Sequence, residues 1–176
     1  MEKELWVVRH TAVDMPKGMC YGQTDVGLLD TFEEEALDVK RRLEDYVPDV
    51  VYSSPLSRAV RLAKAVGYDP MLDERLLEQN FGEWEEKYYD EITDPQLQRW
   101  YDDYVNEVPT GGESFRQQVE RVGRFIEDMR SVEAQKILVF AHAGVQMATG
   151  AYLKLYEMVD APKHFQGYGS ILKYKL

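Results

Sequence analysis

One cysteine, Cys20, and three histidines, His10, His142 and His164, are all that the 176-residue chain holds of those two types. A lone cysteine excludes an internal disulfide framework and fits a reducing, cytoplasmic setting. No apolar run approaches the ~18 residues of a membrane-spanning helix. The opening Met1-Glu2-Lys3-Glu4 does not lead a basic segment into a long apolar one, so no secretory signal is expected. Positive charge is scarce: 21 lysines and arginines stand against 32 acidic residues, a net charge of −11. Such a surface repels nucleic-acid phosphates and anionic membranes, and neither is an expected partner. There is no His-Glu-x-x-His, no cysteine pair, no phosphate-binding P-loop and no dinucleotide fingerprint, so neither metal nor cofactor is expected.

What is present is an ordinary globular balance, 44% hydrophobic and 30% charged, in a length that suits one domain over residues 1–176. Residues 4–9 read as a buried strand. A helix is expected at about 31–46, with Thr31 capping and Glu34 completing a capping box. "DVVYSSP" (49–55) reads as a short strand, and "SRAVRLAKAVG" (57–67) as a helix stopped by Gly67. Phe115, Val119, Val122, Ile126 and Met129 form a stripe on a helix at about 113–130. "KILVFAH" (136–142) is a strand, followed by a helix at about 144–157 and a closing strand over 169–176. Alternating helices and continuously apolar strands predict an α/β fold, a three-layer α/β/α sandwich on a mainly parallel sheet.

Residues 83–108 differ in character. They hold nine acidic and two basic residues together with Trp84, Tyr88, Tyr89, Trp100, Tyr101 and Tyr104, and read as a small helical lid insertion. Its rings either stack on a flat heteroaromatic ligand or form a small core of their own.

In open α/β sheets, ligands bind beyond the carboxyl ends of the strands. Arg9-His10 ends the first strand, Arg58 follows the second, and His142 ends "KILVFAH". A single histidine at a strand end is more often structural. Three strand ends, each delivering an imidazole or a guanidinium, predict one convergent anion site.

These residues resemble the histidine phosphatases, the superfamily that includes phosphoglycerate mutase-like enzymes. Arg9-His10-Thr11 stands where that family has Arg-His-Gly. "SSPLSRAVRLA" is similar to its arginine motif, "RLLEQNFGEWE" to its acidic motif with Glu78, "PTGGES" to the segment before a long helix, and "FAHAGV" to its second histidine motif. Within the family, "HTAVDMPKGMCYGQTDVGLLD" (10–30) most resembles the α-ribazole phosphatases of cobalamin biosynthesis. The chain departs at Met15-Pro16-Lys17, where many members place an asparagine that contacts phosphate. It departs again at Trp84-Glu85-Glu86, where a glycine commonly follows the first glutamate.

The resemblance implies a small phosphomonoester as substrate and a phosphohistidine intermediate. His10 would be the nucleophile, Arg9, Arg58 and His142 the phosphate ligands, and Glu78 the acid and later the base. Planar guanidiniums suit bidentate phosphoryl contact, and cationic neighbours keep His10 neutral and able to attack. Glu78 stands among Glu83, Glu85 and Glu86, so a solvated acidic turn is the alternative for it. Thr11 and Ser57 either contact phosphate or cap local turns, and Gln23 either touches phosphate or substrate or does neither. Cys20 lacks the arginine six positions on that a cysteine phosphatase needs, position 26 being Val, and reads as a small loop residue. His164 reads as part of a surface turn. The acidity of 83–108 disfavours a carboxylate-rich substrate, and so a mutase; hydrolysis of α-ribazole 5′-phosphate is expected. A phosphatase of another small ester, a mutase and a non-catalytic phospholigand-binding domain are the alternatives. Oligomeric state is not legible.

Overall fold

The structure is a computed structural model in which residues 2–176 are described; Met1, where the opening segment begins, lies outside them. In chain order the elements are β1 (Glu4–Arg9), α1 (Phe32–Arg42), β2 (Val50–Ser53), α2 (Ser57–Val66), β3 (Met71–Leu72), α3 (Gln96–Asp102), α4 (Phe115–Ser131), β4 (Lys136–Ala141), α5 (Ala143–Tyr152) and β5 (Ile171–Lys175). They build a five-stranded sheet in the order β3-β2-β4-β1-β5. All neighbouring pairs are parallel except β1 with β5. Among the described residues, no helix is long and apolar enough to cross a membrane.

The continuous apolar runs exist because both faces of the sheet are covered. Successive side chains of a strand point to opposite faces. Ile137, Val139 and Ala141 of β4 accordingly join one core with Val119, Val122, Phe125 and Ile126 of α4 and Val145 and Ala148 of α5. Leu138 and Phe140 join the other, with Ala36 and Val39 of α1 and Ala59, Leu62 and Ala63 of α2. The result is an α/β/α sandwich.

Several element ends differ from the sequence reading. Thr31 sits in a helical conformation (φ −74°, ψ 0°) and makes no cap; its hydroxyl donates to Glu35 Oε2 at 2.8 Å instead, and Glu34 takes no part. The capping box is at α4, where Ser114 Oγ accepts from Gln117 N and Gln117 Oε1 accepts from Ser114 N. The helix after β4 ends at Tyr152 rather than near 157. Lys154 turns the chain back at φ 59°, so that Tyr156 lies on α5 and donates to Met147 O at 3.0 Å.

Candidate active site

Strand register gathers the site. Arg9 of β1 pairs with Ala141 of β4, and Ser53 of β2 pairs with Phe140. One residue further, His10 N donates to Ala141 O at 3.2 Å and Ser54 N to Phe140 O at 2.9 Å. His10, Ser54 and His142 therefore leave the sheet side by side. The His10 and His142 rings come within 5.3 Å, centroid to centroid.

His10 Nδ1 lies 2.7 Å from the carbonyl oxygen of Thr11. A carbonyl can only accept, so Nδ1 carries the proton and the lone pair falls on Nε2. Burial pushes the His10 pKa down to about 3, with Arg58 and then Arg9 adding to the effect and the Thr11 bond opposing it. The ring is neutral at physiological pH. Burial holds His142 far below the ordinary histidine range, and the neighbouring His10, Arg58 and Arg9 act in the same direction. His142 Nε2 lies 2.8 Å from Ser54 Oγ, which already accepts from Leu56 N at 3.3 Å. Ser54 Oγ has one O–H and a second lone pair left for this contact, and a hydroxyl that donates to Nε2 would place the proton of His142 on Nδ1.

Arg58 is wholly buried at the start of α2, and burial lowers its pKa while nearby Glu78 opposes the shift. Its guanidinium donates to the carbonyls of Thr24, at 2.8 Å, and Gly22. Arg9 donates to Gln166 O at 2.7 Å and stacks on Tyr168 and Phe165, 4.1 and 4.9 Å from the ring centres. Arg9 Nε, Arg58 Nε, Thr11 Oγ1 and His142 Nδ1 are buried without hydrogen-bond partners. Each such group costs about 1–3 kcal/mol when unsatisfied. All four belong to side chains at the carboxyl edge of the sheet that can donate hydrogen bonds.

Glu78 closes the opposite side. Its Oε1 accepts from Gln79 N at 2.8 Å and Gln118 Nε2 at 3.0 Å, and its Oε2 accepts from Gly144 N at 3.1 Å. The carboxylate is thus seated on the first turn of α5. A Cβ at position 144 would stand 2.0 Å from Glu78 Oε1, so a larger residue there must displace the Glu78 carboxylate. A cavity of about 330 Å³ lies between these groups, lined by Arg9, His10, Tyr21, Glu78, Gly144 and Tyr168 among others. Arg58, His142 and the predicted substrate contact Thr11, with no exposed surface, are not among its lining residues.

Neither Ser57 nor Gln23 lines the cavity. The Ser57 hydroxyl donates to Asp25 Oδ1 at 2.6 Å, and Gln23 Nε2 donates to the Glu78 carbonyl at 3.1 Å. Cys20 is buried against Trp84 and Leu97, and burial pushes its thiol up to about 11, a value that suits packing rather than attack. His164 stacks on Tyr156 at 3.8 Å and, rather than lying in a turn, ends an exposed 3-10 helix over Met158–His164. Sequence reasoning missed Ser54 and Glu85. Glu85 Oε1 accepts from Gly22 N, Thr24 N and Thr24 Oγ1 at 3.0, 2.7 and 2.7 Å, so it holds the loop whose carbonyls hold Arg58. These donors outweigh burial and keep Glu85 below the usual carboxylate range. Glu86, in the position where a glycine commonly stands, takes φ 64°, the left-handed region that explains the glycine.

The aromatic segment beside the site is partly its own core. Trp84 is buried with Cys20 and Leu97, its indole N–H donating to Asp94 Oδ2 at 2.9 Å. Trp100 touches Trp84, Phe81 and Tyr101 with ring centres 5.8, 5.9 and 5.5 Å apart. A second cavity, of about 370 Å³, opens here and is lined by Trp100, Tyr101, Tyr104 and Phe115; it shares Gln79, Phe81 and Met147 with the first.

A family model described as the histidine phosphatase superfamily (branch 1) matches residues 5–175. The chain is 29% identical over 150 residues to the adenosylcobalamin/α-ribazole phosphatase of Escherichia coli K12, covering 80% of this chain and 74% of that protein. It is 28% identical over 148 residues to phosphoserine phosphatase 1 of Hydrogenobacter thermophilus, covering 79% and 70%. The crystal structure of the α-ribazole phosphatase from Shigella flexneri superposes with a TM-score of 0.88 at 26% identity, covering 97% of this chain and 89% of that one.

Proposed function

The chain belongs to the histidine phosphatase superfamily, and from that premise we propose that it hydrolyses a small phosphomonoester through a phosphohistidine on His10. The observation that carries the reading is the His10 ring, whose Nδ1–H is bound to the Thr11 carbonyl and whose pKa is near 3. Such a ring is neutral, oriented, and holds its lone pair on Nε2. In the first step Nε2 forms a bond to phosphorus as the ester P–O bond breaks, and Glu78 delivers a proton to the departing oxygen. In the second, Glu78 removes a proton from water, whose oxygen attacks phosphorus, and the P–N bond breaks to return His10 and release phosphate. Arg9, Arg58 and the Nδ1–H of His142 stabilise the charge on the transferring group. Thr11, buried beside His10, is a further phosphate contact; Gln23 and Ser57 support the loop and the start of α2.

The substrate we propose is α-ribazole 5′-phosphate, cleaved to α-ribazole and phosphate in assembling the nucleotide loop of cobalamin. Its support is the Gly-x-Cys-Tyr-Gly loop at 18–22, the relatives that carry this name, and the apolar cavity adjoining the phosphate site. Measured kcat/KM over α-ribazole phosphate, phosphoserine, phosphoglycerates and sugar phosphates tests it. α-Ribazole phosphate is expected to lead by at least tenfold; activity that is equal across the set, or led by phosphoserine, removes the assignment.

A further inference from the structure

Arg9 and Arg58 come from different elements, and neither takes part in an ion pair among the described residues. In a chain with 32 acidic residues, that absence has a chemical meaning. A carboxylate bound to either guanidinium would neutralise it and occupy the in-plane N–H groups that suit a phosphoryl oxygen. Backbone carbonyls and aromatic rings hold the two arginines instead.

The guanidinium carbon of Arg9 lies 4.1 Å from the ring centre of Tyr168 and 4.9 Å from that of Phe165. That of Arg58 lies 5.5 Å from the ring centre of Tyr21. A cation–π contact takes the face of a guanidinium and leaves its edge free for hydrogen bonds. The two tyrosines also meet each other. Their hydroxyl oxygens are 3.3 Å apart, so one donates to the other. Both line the phosphate cavity with Arg9 and His10. The backbone pins Tyr168 against the end of β1, because Arg9 N donates to Ser170 O at 2.9 Å and Gly169 N to His10 O at 3.0 Å. Tyr21 stands next to Gly22, whose carbonyl accepts from Arg58.

We infer that Tyr168 and Tyr21 are positioning residues for the phosphate grip. Their rings set the planes of Arg9 and Arg58 without neutralising either, and their hydroxyl contact ties the two guanidiniums into one unit. The inference rests on the phosphatase reading above for the identity of the anion, a phosphoryl group. Neither tyrosine makes or breaks a bond; each acts through the arginine it covers. Inorganic phosphate, which has no leaving group, therefore senses both.

The test measures inorganic phosphate binding by calorimetry and kcat/KM for p-nitrophenyl phosphate in the wild type, Tyr168→Leu, Tyr168→Phe and Tyr21→Phe. Tyr168 is half-exposed, so its truncation opens no core. Tyr168→Leu should weaken phosphate binding and kcat/KM together by about two- to thirtyfold, the size of one cation–π contact. Tyr168→Phe returns the ring and should recover all but about two- to threefold, the size of one exposed hydrogen bond. Tyr21→Phe breaks the same bond, so the double phenylalanine variant should be no worse than either single one. Added to Arg9→Ala, Tyr168→Leu should cost less than about twofold further. Unchanged phosphate binding in Tyr168→Leu with a raised KM for the ester would make the ring a leaving-group contact and overturn the inference. A full loss that persists in the Arg9→Ala background, or a wild type that binds no phosphate at millimolar concentration, overturns it too. Losses that multiply in the double phenylalanine variant remove the hydroxyl link. If phosphate binds and no ester is hydrolysed, the phosphatase reading falls, and the phosphate affinities of the variants alone decide the inference.

Discussion

Glu85 never reaches the phosphate cavity, yet it governs a group that does. Its carboxylate gathers the amides of Gly22 and Thr24, and the carbonyls of the same two residues hold the Arg58 guanidinium. A planar fork held at two points presents its remaining edge in one direction only. Replacing Glu85 by Gln leaves shape intact and removes the charge that organises four donors, Phe81 N among them. We predict that Glu85→Gln lowers kcat/KM at least tenfold. Because the effect passes through Arg58, adding Glu85→Gln to Arg58→Ala should cost no further activity, a coupling that steady-state kinetics on the double-mutant cycle measures. Additive losses would show that Glu85 acts elsewhere. The role could not be found from sequence, since Glu85 is one of three glutamates within four residues and only the fold distinguishes it.

At the scale of elements, the seat of Glu78 is the first turn of α5. The carboxylate accepts from Gly144 N, and a methyl group at that position would meet Oε1 at 2.0 Å. Gly144→Ala is therefore predicted to displace Glu78 and cut kcat by a hundredfold or more, with Tm lowered by only a few degrees, as kinetics and calorimetry would report. Unchanged kcat would remove Glu78 from the proton-transfer role. The elements around this seat were legible in the sequence to the extent that burial left a mark on it. β1 and β4 are covered on both faces, and their unbroken apolar runs announce them; the arginine and histidines at their ends follow from the parallel arrangement. β3 is two exposed residues on the sheet edge, Met71 and Leu72, too short for any period. The Thr31 box failed because the preceding turn already places that residue in a helical conformation, which points its hydroxyl at Glu35. Ser54 was invisible because its partner His142 lies 88 residues away.

For the whole molecule, the buried imidazoles link stability to pH. Burial pushes His10 down to about 3 in the folded protein, against ~6.5 in the unfolded chain. A pKa depressed on folding contributes stability that is fully present above about 6.5 and lost as pH falls through that range toward 3. The loss is about 1.4 kcal/mol per pH unit for each such group. His142 shifts in the same direction. Thermal denaturation of the wild type and His10→Gln between pH 7 and pH 4 is expected to give a smaller fall in Tm for the variant, because one of the two titrations has been removed. Parallel curves would mean that His10 is not held neutral by the fold.

The account rests on attack by that neutral ring, and trapping the phosphoenzyme tests it most directly. Wild-type protein is mixed with a ³²P-labelled phosphomonoester, quenched during turnover, and the labelled peptide identified. Label on His10 that is lost in acid, survives base and is absent from His10→Ala is the predicted result. Label on Cys20 or a carboxylate, or steady phosphate release from His10→Ala, would contradict it.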